Sequence, residues 1–237
     1  MLHGLTCNAA YWLRVVPLLD GLRVIALDFG GHGLSVHRDS YGYADYERDL
    51  LWLLDEVGLE RADAVAGHSL GGYVALLAAT SSDRIGSVVA IDVKSDWTDA
   101  DQELAERSRD AVQRVEPGRA ALVDRLARTI PFLGADELEV LAERSLEPAE
   151  DGWRFRWDRR VLATEPVDPF AFLPNVHCPA TIMAGAKSDV MPPASAERFA
   201  AEIPGAALEL LDGVGHHVEL EAPDRVAAAI SALVGPR

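Results

Sequence analysis

Gly67-His68-Ser69-Leu70-Gly71 joins an apolar, strand-like run (residues 62–66) to a small-residue helix (residues 72–80). A serine at a sharp strand-to-helix turn is pushed out at the top of a sheet in a strained backbone conformation. The residues two before and two after it must then be tiny, because strand and helix nearly touch there. Gly67 and Gly71 meet that demand. The bare G-x-S-x-G pattern is weak in a chain with 19 glycines; the strand-turn-helix context and the partners downstream give it weight.

Outward from this turn the chain alternates strands and helices. Residues 22–28 (LRVIALD) form a short apolar run ending in glycines and read as a buried strand. Residues 43–57 carry Tyr46, Leu50, Leu53, Leu54 and Val57 on one helical face. Residues 85–93, 180–186 and 206–211 read as further buried strands, the last two separated by a helix over 194–202. Pro223–Val234 closes the chain as a helix with proline in its first turn. The alternation predicts an α/β fold, a mostly parallel, doubly wound sheet. Residues 95–175 differ: charged, helical in pattern and interrupted by Pro117, Pro131, Pro148 and Pro166. They read as a helical cap insertion over the strand C-termini, leaving 1–94 and 176–237 as the core.

Composition narrows the partners. A formal net charge of −16 repels nucleic acid and anionic membranes, so neither is expected. Two cysteines, Cys7 and Cys178, make no disulfide framework. With no signal-like segment and no apolar run of about 18 residues, the chain reads as cytoplasmic. No H-x-x-x-H or H-E-x-x-H spacing exists, which argues against a metal site among the seven histidines.

A serine hydroxyl is a poor nucleophile unless a base takes its proton, and the base needs an orienting acid. Asp189 follows the strand at 180–186, and His216 follows the strand at 206–211 in Asp212-Gly-Val-Gly-His216. Both positions fall at C-terminal strand ends, on the edge that carries Ser69, in the chain order Ser, Asp, His. Asp92, at the end of the strand after the serine helix, is the rival acid, and His217 the rival base. Cys7 reads as a bystander thiol and His68 as a packing residue. His32 falls in a glycine-rich loop read as structural.

With these segments, His3-Gly4-Leu5 and Asp28-Phe-Gly-Gly-His-Gly-Leu-Ser35, the chain resembles the α/β-hydrolase superfamily, in particular its small esterase-like serine hydrolases with a helical cap. The resemblance implies Ser69 as nucleophile, His216 as base and then acid, and Asp189 as its orienter. It implies an oxyanion hole from the backbone N–H groups of Leu5 and Leu70, favoured by the positive end of the helix that starts there, and no cofactor. The implied reaction is hydrolysis of a small-molecule acyl substrate (an ester, lactone or thioester) through an acyl-enzyme. A carbon–carbon bond hydrolase, a cofactor-free perhydrolase or haloperoxidase, and a non-catalytic ligand-binding protein of the same fold stay open, as does a homodimer.

The cap is expected to set specificity, with Trp97, Phe132, Trp153 and Trp157 as pocket candidates. In Trp153-Arg-Phe-Arg-Trp157 the sharp reading is an apolar acyl pocket with an arginine for an anionic group. The plainer one is a strand with one buried aromatic face and solvated arginines. One departure stands out: family members carry two strands and most of a third before the His-Gly loop. Here the sequence opens Met1-Leu2-His3-Gly4. A gap is therefore expected between residues 22–28 and 62–66, where the third strand normally lies, together with a start upstream of Met1.

Overall fold

The computed structural model describes residues 1–108, 110, 112–164 and 167–235; Pro166 lies outside them. In chain order the elements are α1 (Tyr43–Glu56), β1 (Val65–His68), α2 (Leu70–Ser81), β2 (Val88–Ile91), α3 (Asp99–Ser108), α4 (Arg119–Thr129) and α5 (Ala135–Ser145). There follow β3 (Leu146–Ala149), β4 (Gly152–Phe155), β5 (Ala180–Gly185), α6 (Pro193–Ala201), β6 (Ala207–Leu211), α7 (Val218–Glu221) and α8 (Pro223–Val234). The principal sheet is parallel, in the order β1-β2-β5-β6.

Strand periodicity sorts its side chains onto two faces. Val65, Val88, Ala90, Ile182 and Ala184 enter one core with α1, α2 and α6. Their neighbours Ala66, Val89, Ile91 and Met183 enter the other, with Trp12 and α8. Both faces being covered, these strands read as near-continuous apolar runs rather than alternating ones. Helix α2 is buried nearly all round, which accounts for its run of small and aliphatic residues.

The expected strand over residues 22–28 does not form. That stretch is mostly half-exposed or exposed and makes only an isolated bridge, at Leu27. The cause is its neighbour. Leu2 bridges both Leu27 and Gly67: Leu2 N–H donates to Ala66 O at 2.9 Å and Leu27 N–H to Met1 O at 3.1 Å. Met1 and Leu2 thus sit between residues 22–28 and β1, and a single bridge does not make a ladder. Beyond them lies an apolar groove of about 240 Å³ lined by Leu22, Val24, Ile25, Leu54, Ala64 and Val65, among others.

Residues 95–175 supply α3, α4, α5 and the antiparallel β3–β4 hairpin. Leu122, Leu126, Ala142, Leu146 and Phe155 make a small core there. Arg14 ties α5 to the parallel-sheet body. Its guanidinium donates to both Glu137 carboxylate oxygens at 2.6 Å, to Leu220 O at 2.8 Å and to Phe132 O at 3.2 Å. No helix among the described residues is long and apolar enough to cross a membrane.

Candidate active site

Ser69 joins β1 to α2 with φ 50° and ψ −113°, in a region that costs a non-glycine residue about 1–3 kcal/mol. Its N–H donates to Ile91 O at 2.7 Å. The glycines around it have no substitute. A Cβ on Gly67 would fall 2.2 Å from the Gly71 carbonyl carbon, and one on Gly71 would fall 2.3 Å from Leu2 O. Strand and helix touch through backbone there, as the motif requires.

Two other non-glycine residues among those described adopt positive φ: Thr6 (63°) and Asp92 (48°). All three flank the same locus. Asp92 ends β2 fully buried. Its Oδ1 accepts from Ser188 Oγ at 2.6 Å and from His216 Nδ1 at 2.7 Å, and its Oδ2 accepts from Gly185 N–H at 3.0 Å. The expectation that Asp189 orients His216 is therefore corrected: Asp92 occupies that position, and Asp189 is exposed. The turn after β5 explains the exchange. Gly185 and Ser188 face Asp92 and saturate its carboxylate, and Asp189 is left at the surface.

His216 is held from behind. Its carbonyl accepts from His68 Nε2–H at 3.0 Å, with the two rings 4.5 Å apart. Gly215 N–H donates to Glu221 Oε2 at 3.0 Å. A Cβ on Gly185 would lie 2.1 Å from Gly215 O, so the ends of β5 and the His216 loop abut directly. The fixed Nδ1 contact leaves Nε2 as the free nitrogen of the ring. Among the described residues Ser69 Oγ has no hydrogen-bond partner; such contacts commonly close only when substrate is bound.

His217, the rival base, is engaged elsewhere: its Nδ1 contacts Glu219 Oε1 at 3.0 Å. Burial depresses the His217 pKa, but the Glu219 bond and charge outweigh it and the net shift is upward. Burial, reinforced by the charges of His216 and His217, holds His68 well below its ordinary value.

The Gly4-Leu5 loop packs against the serine. A Cβ on Gly4 would meet His68 Nδ1 at 2.6 Å and Ser69 Cβ at 3.4 Å. His3 fastens this loop, its Nδ1–H donating to Gly4 O at 2.8 Å and its Nε2 accepting from Phe29 N–H at 3.0 Å. Leu5 and Leu70 line a cavity of about 140 Å³ with Ser69. Leu70 is the first residue of α2, where backbone N–H groups lack intrahelical partners and the helix dipole is positive.

Of the four aromatic pocket candidates, Trp97 lines this cavity; Phe132, Trp153 and Trp157 do not. Phe132 packs with Cys7, Tyr11 and Ile130, and Trp153 and Trp157 pack on the α4–α5–β4 core. The plainer reading of the Trp153–Trp157 stretch is corrected for its arginines: rather than solvated, Arg154 and Arg156 are half-buried and pair with Glu147 at 2.7 and 3.3 Å. The cavity walls missed from sequence are Tyr43, Tyr73 and Val161. The Tyr43 and Tyr73 rings lie 4.2 Å apart, tilted by 35°, between α1 and α2; both fall on helical faces that sequence periodicity marks simply as buried.

Comparison with known proteins agrees with this architecture. The chain is 30% identical over 179 residues to the "Serine hydrolase-like protein" of Danio rerio, a match covering 68% of this chain and 54% of that protein; it thus spans little more than half that relative's length. It is 28% identical over 225 residues to "Esterase YbfF" of Escherichia coli strain K12, covering 90% of this chain and 83% of the relative. The solved structure of E-2-(acetamidomethylene)succinate hydrolase superposes with a TM-score of 0.86 at 26% identity, covering 98% of this chain and 89% of the other. The profile described as "Alpha/beta hydrolase family" matches residues 1–229, and the chain belongs to that family.

Proposed function

We propose that the protein is a serine hydrolase that cleaves a small carboxylic ester, lactone or thioester through an acyl-enzyme. The observation that carries this reading is the 2.7 Å contact between Asp92 and His216 at the foot of the strained Ser69 turn. Asp92, its carboxylate saturated with donors, keeps the proton on His216 Nδ1 and so leaves Nε2 to act as the base toward the serine. His216 takes the Ser69 proton as Oγ attacks the carbonyl, then gives it to the leaving alcohol. Water activated by the same nitrogen releases the acid. The N–H groups of Leu5 and Leu70 bind the oxyanion, each contributing about 3–4 kcal/mol in the transition state.

The size and lining of the cavity support a small, largely apolar acyl group. The carbon–carbon bond reading calls for a cation facing Ser69. Among the described residues lining the cavity, Lys94 is the cation, and it is bound to Asp101 at 2.5 Å and lies over the Trp97 ring. A neutral ester fits that lining better.

The test is labelling with a fluorophosphonate probe. Wild type is expected to react and Ser69→Ala to be inert while remaining folded. A folded wild type that does not react would favour a ligand-binding role.

A further inference from the structure

Behind the Ser69 turn lies a closed polar cluster that the proposed hydrolysis does not use. Cys7, His68 and Glu219 are buried, with Glu219 at 0% exposure, and the His217 side chain is 14% exposed. The ligand atoms of Cys7, His68 and His217 lie within 4.8 Å of one another. Tyr11, Ile130 and Leu220 wall the cluster with apolar surface.

Its hydrogen bonding is incomplete in a specific way. The His216 carbonyl can only accept, so the 3.0 Å contact places the proton of His68 on Nε2 and leaves Nδ1 with a lone pair. Among the described residues that buried Nδ1 has no hydrogen-bond partner, and it stands 3.5 Å from Glu219 Oε1. Glu219 Oε2 is also buried and unpartnered. A buried imidazole lone pair on His68 and the second carboxylate oxygen of Glu219 are thus left unsatisfied in one cluster, an arrangement that burial penalises and a bound cation would relieve.

We propose that Cys7, His68 and His217 bind a divalent transition-metal ion of the zinc class. The donors are Cys7 Sγ, His68 Nδ1 and His217 Nε2. Glu219 Oε1 accepts from His217 Nδ1–H at 3.0 Å, the carboxylate–histidine support that orients a ligating imidazole. One thiolate with two imidazoles selects zinc or cobalt over magnesium or calcium. On binding, the Cys7 S–H proton leaves to solvent, and the thiolate and Glu219 carboxylate balance the two positive charges. The slightly exposed His217 edge is the entry path. Because His68 precedes Ser69 and His217 follows His216, a bound ion clamps the two loops that meet at the site.

The test uses the whole chain stripped with chelator and titrated with Co²⁺ or Zn²⁺; Ser69→Ala serves equally, so the outcome does not depend on hydrolysis. One equivalent is expected to bind. Co²⁺ should give a near-ultraviolet thiolate charge-transfer band, and Zn²⁺ should raise the melting temperature and protect Cys7 from a thiol reagent. Cys7→Ser should abolish the band, and Glu219→Gln should keep it while weakening affinity about 10–100-fold. Protection of Cys7 in wild type reads out the site even if a variant fails to fold. Absence of saturable binding, or Co²⁺ uptake with no thiolate band and no protection of Cys7, would overturn the proposal and leave a proton as the occupant of the cluster.

Discussion

Asp92 and Asp189 show what a single residue's surroundings decide. Both follow strands of the same sheet edge, both precede His216 in the chain, and strand pattern alone cannot rank them. What separates them is the turn after β5, in which Gly185 N–H and Ser188 Oγ converge on Asp92. Nothing in the run Gly185-Ala-Lys-Ser-Asp189 announces that Ser188 faces inward. A prediction follows for Ser188→Ala. Losing one of three donors to a buried carboxylate should lower kcat about tenfold, roughly 1.4 kcal/mol, with KM little changed. Steady-state kinetics on short p-nitrophenyl esters checks this, and an unaltered kcat would remove Ser188 from the site. Ser69, by contrast, was legible because its demand on Gly67 and Gly71 is steric and local, as was His216, which directly follows Gly215.

Among the elements, those buried on both faces or strongly amphipathic follow the sequence closely: α8 spans Pro223–Val234 as its proline and periodicity predict, and β5 and β6 fall within one residue of expectation. Residues 22–28 fail because a strand is a property of a pair, and among the described residues their pairing is a single bridge, from Leu27 to Leu2. Three of the four aromatic pocket candidates, Phe132, Trp153 and Trp157, fall outside the cavity for a related reason. Apolar periodicity marks what packs but not where, and Phe132, Trp153 and Trp157 are half-buried against cores other than the cavity wall. The tie between α5 and the sheet body is testable. Arg14 holds the Glu137 carboxyl down to about 2, chiefly through their hydrogen bonds. A depressed carboxylate stabilises the fold above its ordinary value near 4.5 and loses that contribution as pH falls toward 2. Arg14→Ala should cost about 1–2 kcal/mol at neutral pH and flatten the pH dependence of the melting temperature below 4.5. Equal slopes for variant and wild type would contradict this.

At the scale of the whole molecule, function-bearing loops are held by neutral, buried imidazoles. Burial pushes His3 down to about 4 and His32, with help from the charge of His3, down to about 3; His68 also falls well below its ordinary value. Groups kept neutral by the fold stabilise it fully above about 6.5 and lose that contribution as pH falls, because the unfolded chain takes up the protons. His217 is shifted the other way and stabilises as pH falls, so three histidines oppose one. Denaturant midpoints should therefore drop between pH 6.5 and 5, above the range where Glu137 titrates. A midpoint that stays level or rises across that window would show that these rings are not held neutral.

The central claim is that Asp92, through His216, equips Ser69 for acyl transfer. The most direct measurement is kcat on a short p-nitrophenyl ester for Asp92→Asn beside Asp189→Asn, each verified as folded. The expected result is a loss of about 10⁴-fold for Asp92→Asn, since an amide no longer holds the imidazole in the required tautomer. Asp189→Asn should stay within roughly twofold of wild type, as for an exposed side chain with no partner among the described residues. The reverse pattern, with Asp189→Asn inactive and Asp92→Asn near wild type, would contradict the account.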